Sequence, residues 1–208
     1  DASGEALNEQ QRAYLEQEIH RYAHEAMRTI GLAFKDVETR EELEVESAER
    51  NADGSPALEC ETGLTLIAIA GIEDPLREEV PPAIQECYTA GIDVRMVTGD
   101  NLETAVAIAK RANILSAAHF EDKLMTKLKV DRAMEGRDFR FRVYHTNADG
   151  EQEFNQAAFD EIWPHLRVLA RSSPDDKLTL AHGLNKSVLF QDKDAVRVLA
   201  DEGITIFP

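Results

Sequence analysis

Two short polar segments of the sequence combine residue types that can hold a phosphate group. Thr98, Gly99 and Asp100 follow one apolar stretch, and a segment that contains Arg171 and Lys177 follows another. A threonine hydroxyl and the backbone N–H groups of a glycine turn can donate to phosphate oxygens, and an ammonium group offsets their charge. These residues therefore predict two parts of a phosphoryl-transfer site.

The same residues also have a purely structural interpretation. A glycine turn followed by an aspartate at a helix start needs no ligand. Arg171 is equally explained as a surface arginine and Lys177 as a solvated lysine, although a cation is disfavoured in the first turn of a helix. The phosphate hypothesis makes a demand that the structural one does not, because it requires the two segments to lie at neighbouring strand ends.

The elements around these segments predict an α/β fold. Apolar runs at residues 64–72, 92–97 and 167–170 predict strands, and the first run is continuous enough for a strand buried on both faces. Helical periodicity follows each run. Short strands that alternate with helices predict a parallel sheet with helices on both faces, in which anions bind at the carboxyl ends of the strands.

Cap signals place the ends of three helices in this arrangement. The signals used are an aspartate or serine before the first helical residue, an acidic residue three positions later, an early proline and a closing glycine. They are Asp74, Pro75 and Gly91 for the first helix, Asp100 and Glu103 for the second, and Ser173, Pro174 and Asp176 for the third. On the second helix, one apolar face is formed by Ala105, Ile108, Ala109 and Ala112.

The two other parts of the chain have weaker patterns. Near the start, Leu15, Ile19, Tyr22 and Ala26 share one face of a predicted helix, and a strand is expected at 28–34. The acidic stretch 36–56 predicts a solvated loop. Further on, "FRFRVYHT" predicts a strand, "NADGEQ" a turn, and "FNQAAFDEIWPHL" a short helix that ends near the proline.

Composition limits the possible function. The 208 residues include 23 basic and 40 acidic side chains, for a formal charge of −17, which argues against nucleic-acid binding. The two cysteines indicate a reducing compartment, and no Cys/His cluster has metal-ligand spacing. No apolar run reaches the ~18 residues of a membrane span and no signal peptide opens the chain. We expect a soluble, cytosolic segment, and this composition is also compatible with a segment of a larger membrane protein.

The amino-acid sequences of several segments resemble those of a known family. The segments "GIEDPLREEVPPAIQECYTAGIDVRMVTGDNLETAVAIAKRANIL" and "IWPHLRVLARSSPDDKLTL" resemble the phosphorylation domain of P-type cation-transporting ATPases, and they are most similar to calcium pumps of the plasma-membrane type. "MRTIGLAFKD" resembles the end of the nucleotide-binding domain. The resemblance implies a haloacid-dehalogenase-like fold in residues 63–208 and a helix-strand remnant of the nucleotide domain, with an acidic linker, in residues 1–62.

The resemblance also implies roles for individual residues. The family uses ATP and Mg²⁺ to form an aspartyl-phosphate while it transports cations, here calcium, across a membrane. Thr98 and Lys177 match residues that stabilise the transferred phosphoryl group. The nucleotide-contacting residues of the family match Arg28, Asp74, Arg77, Thr98, Gly99, Asp100, Arg171 and Lys177.

Two motifs of the family are absent from this sequence. The DKTGT motif that carries the phosphorylated aspartate does not occur, and neither does the magnesium-binding TGDGxNDxP motif. We therefore expect the nucleophile and the Mg²⁺ ligands to lie in the remainder of the pump, which is the expected partner, and the segment alone to be inactive. The alternatives are a soluble phosphohydrolase of the same fold and a non-catalytic module that binds a nucleotide or a partner.

Overall fold

The structure, a computed structural model, describes residues 6–50, 55–147, 150–204 and 206. The chain divides into two compact units. The first comprises Asp1–Ala23 and Met27–Glu73, and the second comprises His24–Ala26 and Asp74–Pro208. The division thus falls at residue 73, whereas the sequence suggested a domain boundary at residue 62.

The first unit contains one long helix and two small antiparallel sheets. Its elements are α1 (Glu9–His24), β1 (Met27–Phe34), β2 (Glu46–Arg50), β3 (Pro56–Leu58) and β4 (Thr65–Glu73). Strand β1 pairs with β4, and β2 pairs with β3. The predicted strand at 28–34 is confirmed, and so is the predicted helix as far as His24. Ala26, which the prediction placed on the face of this helix, lies beyond its end with a φ of 60°. Asn8 and Gln11 exchange side-chain and backbone hydrogen bonds of 2.9 Å at the start of α1, which satisfies two amide groups there.

Two expectations for this unit are wrong. The apolar run at 64–72 does not join a parallel sheet, because β4 is antiparallel to β1 and most of its residues are exposed. An apolar run alone does not specify its pairing partner, and here β1 supplies it. The acidic stretch 36–56 is not only a loop, since it contributes β2 and the start of β3. The turn residues 51–54 lie outside the described part of the chain.

The second unit is built around a three-stranded parallel sheet. Its helices are α2 (Val80–Thr89), α3 (Leu102–Arg111), α4 (Gly136–Val143), α5 (Gln156–Ile162), α6 (Pro174–Lys186) and α7 (Lys193–Asp201). Its strands are β5 (Met96–Val97), β6 (Ala133–Glu135), β7 (Tyr144–Thr146), β8 (Gln152–Phe154) and β9 (Val168–Ala170). The parallel sheet has the order β5-β9-β6, while β7 and β8 form an antiparallel hairpin.

The central strand β9 separates two hydrophobic clusters. Val168 and Ala170 pack with the alanines of α3, whereas Leu169 packs with a cluster that includes Phe139 and Phe159. Alternate side chains of a strand point to opposite faces, so both faces of β9 are covered. The expected parallel sheet with helices on both faces is confirmed, and its third strand is β6 instead of the run at 64–72.

The predicted face of α3 is confirmed for three of its four residues, since Ile108 is only partly buried, and the short helix near Pro164 is confirmed as α5. Ala105, Ala109 and Ala112 are buried in the cluster beneath α3. The end of α2 is also confirmed, because Gly91 has a φ of 77° and the amide of Ile92 donates to Cys87 O at 2.8 Å, as in a Schellman motif.

The prediction of a strand at "FRFRVYHT" is wrong for its first part. Residues up to Val143 form α4, and only Tyr144–Thr146 is a strand. Phe139 and Val143 lie four residues apart and are both fully buried, whereas Phe141 is exposed. Burial therefore follows the helical spacing and not the alternation that suggested a strand. Within the turn predicted after it, residues 148 and 149 lie outside the described range.

Two of the three predicted helix starts are displaced. Helix α2 begins at Val80, so Asp74 and Pro75 precede it by several residues. Helix α3 is capped by Asn101, whose Oδ1 accepts from the amide of Thr104 at 2.9 Å, and not by Asp100. The predicted cap of α6 is confirmed: Ser173 and Asp176 exchange hydrogen bonds across the first turn, with Pro174 at the first helical position.

The cap of α3 gives a stability prediction. Asn101→Ala removes the acceptor for the Thr104 amide and should lower the free energy of unfolding by about 1 kcal/mol. Urea unfolding of the chain, followed by the fluorescence of its one tryptophan, Trp163, reports on this unit. The control is Asn101→Asp, which keeps an acceptor and should stay near the wild-type value. Equal losses in both variants would contradict this assignment of the cap.

Candidate functional site

The loops that follow β5 and β9 are joined by hydrogen bonds between their backbones. The amide of Thr98 donates to Leu169 O at 2.9 Å, the amide of Ser172 to Thr98 O at 3.0 Å, and the amide of Arg171 to Asp100 O at 2.9 Å. The hydroxyl of Ser172 donates to Thr98 O as well, at 3.0 Å. The two polar segments singled out in the sequence are therefore in direct contact at the carboxyl edge of the sheet.

The Thr98 hydroxyl is held inside its own turn. Its Oγ1 donates to Asp100 Oδ2 at 3.0 Å and accepts from the Asp100 amide at 3.1 Å. Because a hydroxyl has a single proton to donate, a phosphate oxygen could receive it only by replacing the Asp100 carboxylate as acceptor. The Thr98–Asp100 pair thus holds the hydroxyl in place and competes with a ligand for it.

Gly99 leaves the outer side of the turn open. It is exposed, and a Cβ atom added at this position would meet no atom within 4 Å. Packing therefore does not require glycine here, and the open space gives a ligand access to the turn.

The first turn of α6 is fixed by a buried carboxylate. Asp176 is 1% exposed, and its Oδ2 accepts from the Ser173 amide at 2.7 Å and from Arg140 Nη1 at 2.5 Å. A charged group with so little contact with water is stable only when it is paired and hydrogen-bonded. The bond to Arg140 also ties α4 to α6, so the start of α6 is held from two sides.

Gly136 brings the end of the third strand against the same region. A Cβ atom at this position would lie 2.6 Å from Asp176 Oδ2 and 2.8 Å from the carbonyl oxygen of Arg171. Only glycine fits such an approach, and the carboxyl ends of β5, β6 and β9 therefore meet. The sequence carried only a weak signal for this residue, because Glu135 separates Gly136 from the short apolar pair Ala133 and Met134. Nothing in the sequence predicted the contacts that Ser172 and Arg140 make.

Lys177 and Arg171 are exposed at this edge. Lys177 follows Asp176 in the first turn of α6, and its amide donates to Ser173 O at 3.4 Å. Arg171 has a φ of 46°, a left-handed conformation that costs a non-glycine residue energy and that is enriched at functional sites. The hydrogen bond from its amide to Asp100 O holds it there.

The remaining predicted residues are not joined to this site by the described contacts. Asp74 and Arg77 are exposed in the irregular segment before α2, where Arg77 O accepts from the amide of Val80 at 3.1 Å. Arg28 belongs to the first unit and lies on β1 opposite Ile72. Among residues 6–50, 55–147, 150–204 and 206, no group of three or more His, Cys, Asp or Glu side chains is placed to bind a metal ion.

Comparisons with known proteins agree on one family. Residues 1–79 match the family model described as P-type ATPase, cytoplasmic domain N. The chain is 46% identical to plasma membrane calcium-transporting ATPase 1 of Gallus gallus, 45% identical to that of Homo sapiens and 41% identical to plasma membrane calcium-transporting ATPase 3 of Homo sapiens, in each case over 183 residues. In the part of the chain that the structure describes, no helix is both long and apolar enough to cross a bilayer.

These alignments cover 88% of the chain but only 13% of each of these relatives. The chain thus spans a small part of the length of the calcium pumps that it matches. The resemblance read from "RMVTGDN" and "LRVLARSSPDDK" is confirmed, and the chain belongs to the P-type cation-transporting ATPases, with plasma-membrane calcium pumps among its relatives.

Proposed function

We propose that this chain is a cytosolic segment of a calcium-transporting P-type ATPase and that the loops after β5 and β9 hold the transferred phosphoryl group. The whole pump would lie in a membrane, with this segment on the cytosolic face. The proposal is supported most directly by the hydrogen bonds that join the Thr98 loop to the Arg171 loop. They place a threonine hydroxyl, an open glycine turn and the N-terminal turn of a 13-residue helix at one sheet edge.

The chemistry of this edge suits a transferring phosphoryl group. The start of α6 carries the positive end of the helix dipole, which favours an anion. The Thr98 hydroxyl would donate to a phosphate oxygen after leaving Asp100, and the Lys177 ammonium would offset charge that develops on the group. Buried contacts around Asp176 fix the helix start, so little reorganisation is needed when the charge develops.

The other predicted residues would contact the nucleotide. In this proposal Arg28, in the remnant of the nucleotide-binding domain, contacts the ATP phosphates, and Asp74 and Arg77 contact the nucleotide. Arg171 and Asp100 would complete the nucleotide contacts at the sheet edge. The second unit would be part of a haloacid-dehalogenase-like phosphorylation domain, with the remainder of the pump as its partner.

Magnesium would be bound elsewhere in the pump. Among the described residues, no three His, Cys, Asp or Glu side chains are grouped as metal ligands. We assign no Mg²⁺ ligand to this chain and no step of the reaction to the ion here.

Two alternatives stay open. A soluble phosphohydrolase of the same fold would need its own nucleophilic aspartate at a strand end. A non-catalytic module would bind a nucleotide or a partner without turnover, even as part of a longer chain.

The first prediction from this proposed function distinguishes a segment of a pump from a soluble phosphohydrolase. The chain of 208 residues should not form an acid-stable phosphoenzyme, because it contains no DKTGT motif. Incubation with γ-labelled ATP and Mg²⁺, followed by acid precipitation, measures this, with the full-length protein as the positive control. Stoichiometric label on an aspartate of this chain would refute the proposal.

The second prediction concerns Lys177 in the full-length protein. Removing one stabilising group from a transition state costs roughly 2–4 kcal/mol, so Lys177→Ala should slow phosphorylation about a hundredfold or more. Lys177→Arg should rescue it only partly, since a planar guanidinium is not a compact point charge. The matched control is Lys186→Ala at the other end of α6, which should phosphorylate normally. A normal rate for Lys177→Ala would make this residue a solvated lysine.

The third prediction decides between the structural and the phosphate roles of the turn. Thr98→Ala should lower the rate of phosphoenzyme formation with little change in ATP affinity, because the contact is made mainly in the transition state. Thr98→Ser keeps the hydroxyl and should retain most of the rate. Asp100→Ala should show a mixed defect in stability and nucleotide binding. If Thr98→Ala phosphorylates normally while unfolding earlier, the hydroxyl serves only the turn.

A further inference from the structure

An arginine directly precedes each strand of the parallel sheet. Arg95 precedes β5, Arg132 precedes β6 and Arg167 precedes β9. We call these three residues the arginine row. Their backbones are joined, since the amide of Met96 donates to Arg167 O at 2.9 Å and the amide of Arg167 to Arg132 O at 2.9 Å. The row therefore lies along the amino edge of the sheet, opposite the edge that holds the Thr98 loop.

The arginine row is largely buried. Arg132 is 5% exposed and Arg167 6%, and the side chain of Arg95 is 13% exposed. The guanidinium of Arg95 lies over the indole of Trp163, 5.5 Å from its centre. Long cationic side chains are rarely so buried unless a negative group compensates them.

Neutral backbone carbonyl groups accept hydrogen bonds from only some of the guanidinium N–H groups of the arginine row. Arg95 Nη2 donates to Trp163 O at 3.3 Å, Arg132 Nη1 to His165 O at 3.3 Å, and Arg167 Nη1 to Pro164 O at 3.0 Å. The Nε atoms of Arg95 and Arg132 are buried and have no hydrogen-bond partner within the described residues. Two donors of the row therefore lack acceptors.

One carboxylate makes direct ion pairs with the arginine row. Asp93 Oδ2 is 3.5 Å from Arg95 Nη2 and 3.4 Å from Arg167 Nη2, so one carboxylate serves two guanidinium groups. Glu202 lies 3.7 Å from His165 and its side chain is half exposed. Among the described residues, Asp93 is the one carboxylate within ion-pair distance of the row, while Asp131 and Glu202 act on Arg132 from farther away.

The histidines beside the row do not change this balance at neutral pH. Burial, followed by Arg167 and Arg132, lowers the pKa of His119 to about 4. Burial and then Arg132 also lower the pKa of His165. These lowered pKa values favour the neutral imidazole at pH 7, so the positive charge at this edge comes from the arginines.

We propose that the arginine row is a second anion site, which binds a doubly charged tetrahedral oxyanion of the sulfate or phosphate type. Such an ion carries negative charge and provides acceptors for the Nε atoms of Arg95 and Arg132, and guanidinium forks suit oxyanions. It would enter beside Asp93, whose side chain is 35% exposed. The proposal is independent of phosphoryl transfer at the other edge.

Trp163 provides the test, because it is the one tryptophan of the chain and stacks on Arg95. Titration of the chain with sodium sulfate should change its fluorescence saturably, whereas sodium chloride at matched ionic strength should not. Arg95→Gln should weaken sulfate binding roughly tenfold or more, as expected for loss of charge-assisted hydrogen bonds. Asp93→Asn should strengthen it roughly fivefold, because it removes the competing carboxylate.

The unfolding temperature in sulfate is the second readout, needed because Arg95→Gln also alters the surroundings of Trp163. The sulfate-induced rise should be smaller in Arg95→Gln than in the wild type and should persist in Lys177→Gln at the other edge. A rise that persists in Arg95→Gln but disappears in Lys177→Gln would assign the ion to the Thr98 edge and overturn the proposal. If Arg95→Gln does not fold, the test rests on Asp93→Asn. An unchanged sulfate affinity in that variant would then be enough to overturn the proposal.

Discussion

The geometry of the candidate site depends on backbone hydrogen bonds between two loops, beyond the ends of their parallel strands. Beyond Val97 and Ala170 the chains no longer form regular strands, yet the amides of Arg171 and Ser172 still donate to the carbonyl groups of Asp100 and Thr98. These bonds keep two loops at strand spacing where each would otherwise be free to diverge. The open turn at Gly99 and the start of α6 owe their proximity to these bonds.

A buried carboxylate stabilises the other half of the site. Asp176 completes the cap of α6 and receives Arg140 from α4. Removing one partner of such a pair leaves an uncompensated buried charge, which is far more costly than the net stabilisation from the pair. Gly136 permits the arrangement, because any side chain there would collide with Asp176 Oδ2 and with Arg171 O.

The two edges of the parallel sheet differ in their electrostatics. At the carboxyl edge, hydroxyl and amide groups of short loops surround an open turn, and the cation Lys177 is exposed. At the amino edge, three arginines are largely buried, and two of them, Arg95 and Arg167, share Asp93. The first edge has polar donors that water can reach, whereas the second concentrates charge where water is scarce. An anion at the second edge would therefore contribute to the stability of the sheet itself.

The sequence by itself determined the elements whose signals are local. The cap of α6, the glycine end of α2, the buried face of α3 and the loop residues after β5 and β9 follow from hydrogen bonds and spacing within a few residues. The quoted motifs also identified the family. Tertiary structure alone decided that β4 pairs with β1, that Asn101 and not Asp100 caps α3, that "FRFRV" is helical, and that Arg140 reaches Asp176. Each of these depends on which distant residue provides a strand edge, a burial surface or a counter-charge, and an apolar run or an alternating pattern fits more than one such partner equally well.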